Sequence, residues 1–168
     1  TLTLGAGNDT VTASSGGDRI SMGAGVDQFN ANDVNGATNA AAPFTPGSTT
    51  FSTTGFHVIS DLLVGEIVRL DSNYHTATVG VTTTGNVTLA TLDNTTLADN
   101  QVNTLRGNFD PTTGTFTLNA SGSATALVYD INAMLGATDY QGIVLTGYQA
   151  SAAGSLGLMA NGVNLTLA

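Results

Sequence analysis

The chain contains no cysteine, no tryptophan and no lysine, and only three prolines in 168 residues. Without cysteine there is no disulfide framework, and the redox compartment cannot be read from the sequence, although a secreted chain stabilised by other means fits this composition. Positive charge is scarce: three arginines stand against twelve acids, for a net charge of −9. Nucleic acid and anionic membrane surfaces are therefore poor partners, and a cation is a good one. No apolar run approaches the ~20 residues that span a bilayer, so membrane insertion is not expected. No amino-terminal signal-peptide pattern is present.

What fills the chain instead is glycine, threonine, alanine and asparagine. Threonine with valine and isoleucine favours strands, so an all-β fold is expected. A chain of 168 residues suits one domain, or one domain with a small appendage, and can bury about two-thirds of its unfolded surface.

The first thirty residues repeat. In register they read "LGAGNDTVT", "ASSGGDRIS" and "MGAGVDQFN". Gly7, Gly16 and Gly25 recur every nine residues, each followed two places later by Asp9, Asp18 or Asp27 and, two further on, by Val11, Ile20 or Phe29. Such a unit is a small-residue turn closed by aspartate, then a short strand with one apolar side chain. Successive turns fall on opposite edges of a flattened coil, so residues eighteen apart stack. Val11 is then expected beside Phe29 on one sheet and Leu2 beside Ile20 on the other. The Asp9 turn comes to lie against the Asp27 turn. There the carboxylates and the carbonyls of Gly5, Gly7, Gly23 and Gly25 offer about six hard oxygen ligands, the donor set of a calcium site. Asp18, with Gly16, needs a partner from an upstream turn or from the 31–36 loop, where Asp33 is the candidate. Stacked aspartates repel without the cation, so folding is expected to be coupled to binding.

These residues resemble the RTX (repeats-in-toxin) family, whose G-G-x-G-x-D-x-U-x nonapeptide forms a calcium-binding parallel β-roll. The match holds phase over about thirty residues and departs where Leu4, Ala13-Ser14 and Met22 replace glycine and after Asn30. The resemblance implies a β-roll over 1–36; the residues that follow read as an irregular connector over 37–55 and, from their short apolar runs, a β-rich carboxy-terminal sandwich or rolled sheet over 56–168. "HVISDLLVGEIVRLDS" resembles the segment that follows the repeats in these exoproteins, I-x-D-F-x-x-G-x-D-x-I-D-L. Ile59, Asp61 and Gly65 match, Leu62 stands for the aromatic, Glu66 for the second aspartate, and Val68 and Leu70 fit if one residue is missing after the glycine. In the family this segment closes the roll, which makes Asp61, Glu66 and Asp71 candidate calcium ligands; the alternative is ordinary strand-end solvation. "LVYDINAMLGATDYQGIVLTG" is similar to the late hairpin of the same proteins. There Asp130, Asn132 and Asp139 echo a calcium loop but Met134 stands where an acid is wanted.

Beyond residue 55 the apolar runs predict about eight strands, with a tight hairpin at Gly85-Asn86. Over "NFDPTTGTFTL" a strand, a turn set by Pro111 and Gly114, and a second strand are expected. A short helix is predicted over 95–105, from capping threonines and the spacing of Leu97 and Leu105. His57 is expected to alternate with Val58 on a strand and face solvent. Neither it nor His75 belongs to an H-E-x-x-H pair, and no G-x-S-x-G or other catalytic motif occurs.

The chain opens on Thr1-Leu2-Thr3, the last three places of a nonapeptide, as expected of part of a longer protein. Its ending, "VNLTLA", is similar in kind to the uncleaved signal that RTX proteins show to the type I secretion machinery. The resulting expectation is a non-catalytic, calcium-binding module of a secreted or cell-surface bacterial protein, surface-layer or adhesive, with self-assembly or a surface polysaccharide as further partners. The alternative is the carboxy-terminal domain of a secreted hydrolase.

Overall fold

A computed structural model describes residues 1–13, 16–31, 47–70, 102–130, 140–149, 156–159 and 163–167. They are all-β, with no helix among the described residues. In chain order the strands are β1 (Leu2–Thr3), β2 (Thr10–Ala13), β3 (Arg19–Ser21), β4 (Gln28–Ala31), β5 (Thr50–Ser52), β6 (His57–Ser60), β7 (Ile67–Leu70), β8 (Val102–Asp110), β9 (Thr115–Leu118), β10 (Ala124–Asp130), β11 (Tyr140–Thr146), β12 (Leu156–Met159) and β13 (Val163–Leu167). An eight-stranded sheet runs β1-β3-β6-β11-β10-β8-β9-β5, and a five-stranded sheet runs β12-β13-β7-β4-β2.

The nonapeptides alternate between these sheets. β1 pairs with β3 in parallel with Leu2 opposite Ile20, and β2 with β4 in parallel with Val11 opposite Phe29. This is the register that eighteen-residue stacking requires. The same progression continues past the connector: β6 adds to β3 with Ile59 opposite Ile20, and β7 adds to β4 with Val68 opposite Phe29. The turns leading from the larger sheet to the smaller, 4–9, 22–27 and 61–66, are each six residues long. Segment 57–70 therefore holds the nonapeptide phase with no residue missing, and β6 and β7 join the stack that the repeats begin.

One apolar cluster lies between the sheets. Val11, Phe29 and Val68 from the smaller sheet meet Ile20, Ile59, Leu127, Ile143 and Leu145 from the larger. A second cluster, with Phe51, Phe56, Val58, Leu105, Phe116, Val128 and Val144, covers the opposite face of the larger sheet. Adjacent residues such as Val58 and Ile59 thus enter different cores, which explains why β6, β10 and β11 read as unbroken apolar runs. The second core is enclosed by the sheet itself. β5 and β6 are five strand positions apart, about 24 Å if flat, yet four residues connect Ser52 to His57. The five Cα–Cα steps from Ser52 to His57 reach about 17 Å, so the sheet rolls until its β5 edge returns toward β6. The aromatic rings agree: Phe51 lies 5.2 Å from Phe116 and 6.2 Å from Phe56, centroid to centroid.

Two expectations change. Residues 102–105 open β8 instead of ending a helix, because Leu105 is buried in the second core and the segment pairs with β10. Thr50–Ser52, placed in the irregular connector, forms β5 because Phe51 has an aromatic cluster to enter. The strand–turn–strand over 108–118 forms as expected, with Gly114 at φ +65°. The Gly85-Asn86 hairpin, the strands expected over 76–92 and the rest of the helix lie outside the described residues.

Candidate functional site

The site is built by the stacked turns 4–9, 22–27 and 61–66. The first two touch backbone to backbone: the Gly7 N–H donates to the Ala24 carbonyl at 2.7 Å, and the Ala24 N–H to the Gly5 carbonyl at 3.0 Å. Glycine is required at this approach. A Cβ on Gly23, whose φ is +93°, would lie 1.9 Å from the Gly5 oxygen, and one on Gly25 would lie 2.0 Å from the Gly7 oxygen. Asn8 adds a side-chain bridge, its Oδ1 accepting from the Val26 N–H at 3.0 Å.

The third turn stacks differently. Its equivalents of Gly23 and Gly25 are Leu62 and Val64, so the acids take over. Glu66, one methylene longer than aspartate, occupies the place that Asp9 and Asp27 hold in their turns. Asp27 and Glu66 are each 1% exposed. The Asp9 N–H donates to Asp27 Oδ1 at 2.8 Å, and the Leu63 N–H donates to Glu66 Oε2. Asp27 Oδ2 and Glu66 Oε1 are buried without a hydrogen-bond partner. Burial pushes the Glu66 carboxyl above its ordinary 4.5; the backbone N–H groups of Leu63 and Asp27 pull it down, and the adjacent Asp27 carboxylate pushes it up again. Two facing buried carboxylates with an unmet oxygen each are costly as bare anions. The donor set, oxygen only and doubly negative, fits a hard divalent cation. Among the described residues no three His, Asp or Glu side chains converge, so the remainder of such an ion's shell would come from backbone carbonyls and water.

Asp61 has a different task. At φ +79° it turns its carboxylate onto the preceding turn, accepting from Ser21 Oγ at 2.7 Å, the Met22 N–H at 2.9 Å and the Gly23 N–H at 3.2 Å. Both its oxygens are occupied, and it caps the β3–β6 pairing.

On the opposite edge Asp18 meets a histidine. His57, 1% exposed rather than solvent-facing, accepts the Asp18 N–H on Nδ1 at 3.3 Å, with Asp18 Oδ2 3.7 Å from the same nitrogen and the Phe29 ring edge-on at 5.5 Å. His57 is buried because both faces of β6 are covered, which alternation alone does not reveal. The available signal was spacing: Gly55, His57 and Ile59 repeat the Gly-x-Asp-x-apolar pattern with imidazole in the acid's place, nine residues before Glu66.

Of the other candidates, Gly5, Gly7, Gly23 and Gly25 line the stacked turns, while Gly16, at φ +114°, lies in the turn before Asp18. Asp33, Asp71, Asn132 and Asp139 lie outside the described residues, as does the side chain of Asp130. No protein-family model matches the chain, and comparison with curated proteins and with solved structures gives no match.

Proposed function

We propose that this chain is a calcium-binding module of RTX type, a short β-roll continuing into a rolled β-domain, within a secreted or cell-surface bacterial protein of surface-layer or adhesive kind. It is non-catalytic and leaves the cell through the type I machinery. One observation carries the reading: Asp27 and Glu66 are buried side by side where nonapeptide turns stack, and each keeps an oxygen with no hydrogen-bond partner.

The chain's own groups set the carboxylates in place. The Asp9 N–H holds Asp27 and the Leu63 N–H holds Glu66, leaving Oδ2 and Oε1 buried without a hydrogen-bond partner. Calcium, when bound, neutralises the pair. In the calcium-poor cytosol, repulsion and the cost of burying two anions keep these turns apart, so that folding stays incomplete until after export. Outside the cell the turns close.

The test is circular dichroism in excess chelator and in millimolar calcium, with calorimetry to count ions. A folded signal that increases with calcium, with at least one ion per chain, is expected. The same folded signal in chelator, with no heat of binding, overturns the reading. Negative-stain microscopy addresses the parent protein: ordered sheets on calcium addition are expected of a lattice former, whereas a persistent monomer assigns the module to a secreted hydrolase.

A further inference from the structure

The segment 57–70 is attached to the repeats by two joints, and their polar chemistry differs. β3–β6, in the larger sheet, is closed by protein groups at both ends. Before the strands Asp18 meets His57, and after them Asp61 accepts from Ser21, Met22 and Gly23. β4–β7, in the smaller sheet, begins instead at Asp27 and Glu66, two buried carboxylates with an unpartnered oxygen each. Everything beyond that joint in the smaller sheet depends on it, because β13 pairs with β7 and β12 with β13. The larger sheet has its own enclosed core in Phe51, Phe56, Leu105 and Phe116.

Resting on the calcium reading above, we propose that the cation controls only one of the two sheets. A divalent ion shared by Asp27 and Glu66 docks β7 onto β4 and thereby assembles β13 and β12, while β3–β6 and the rolled eight-stranded sheet form without it. His57 takes the role at the Asp18 edge that an ion takes at the Asp27 edge. The metal-free state is then a half-built protein with its larger sheet intact.

Hydrogen exchange read by mass spectrometry, on the full chain in excess chelator and in excess calcium, tests this. Residues 67–70 and 163–167 are expected to exchange about tenfold slower or more when calcium is present. Residues 57–60, 102–110, 124–130 and 140–146 are expected to be protected in both conditions. The variant Glu66→Gln should lose the calcium-dependent change in the first set and keep the protection of the second. If both sets gain protection together on calcium addition, the one-sheet proposal is overturned while the calcium module stands. If calcium alters neither set and gives no heat of binding, the module itself falls, and this proposal with it. A Glu66→Gln variant that still responds to calcium in the smaller sheet also overturns it, since the ion then sits elsewhere.

Discussion

The stacked parallel strands and the antiparallel strands that follow them are held together in opposite ways. In the stack, β2, β3 and β4 are three or four residues long, and each buries one sizeable strand-centre side chain, Val11, Ile20 or Phe29. Backbone hydrogen bonds at close-approaching glycines hold the first two turns together, and the third turn brings Glu66 beside Asp27. In the antiparallel part, β8, β10 and β11 run seven to nine residues, and Leu127 faces one core while Ala126 and Val128 face the other. Long strands buried on both sides need no outside ligand. Short strands with small side chains remove little apolar surface to offset their ordering entropy, so the stack is where the proposed ion would have its effect.

The comparison breaks most severely in the apolar half. Phe116→Ala empties the centre of the rolled sheet and should cost about 3–5 kcal/mol by urea unfolding, equally with calcium and with chelator. A loss that shrinks in chelator would mean the rolled sheet is not autonomous. Next comes Gly23→Ala, which combines the left-handed φ with the Gly5 carbonyl in the path of the new Cβ. About 2 kcal/mol is expected from the backbone conformation alone, and here the calcium response of the circular dichroism signal should weaken too. The smallest effect lies at the hairpin end of β8. The Thr112 N–H, then the Thr113 hydroxyl, hold the exposed Asp110 carboxyl below its ordinary 3.8. The stabilisation is present above pH 3.8 and disappears as the pH falls through the lower folded value. The stability gap between the natural chain and Asp110→Ala should close over that acid range, regardless of calcium.

Much of the stack was legible because its signal is a spacing. Leu2 with Ile20 and Val11 with Phe29 follow from counting, since stacked turns admit one register. The resumption at His57 was hidden by chemistry rather than distance: imidazole in an aspartate's place hides a unit from any pattern written in acids. Glu66 was legible as a candidate, but its partner was not, because a connector that follows no repeat separates it from Asp27, 39 positions earlier. β5 escaped because three residues with one phenylalanine carry no periodicity. The start of β8 escaped because Leu97 and Leu105 suit a helix as well as a strand, and only the distant β10 decides between them.

The alternation of nonapeptides between two sheets also sets a rule of parity on how such a chain can change length. Adding or deleting one unit of nine would deliver every later strand to the wrong layer, placing Asp18-type turns where Glu66 looks for Asp27. Two units together restore the pattern. Growth or loss of the array is therefore tolerated only in doublets, and a single-unit deletion is expected to be more harmful than one twice its size.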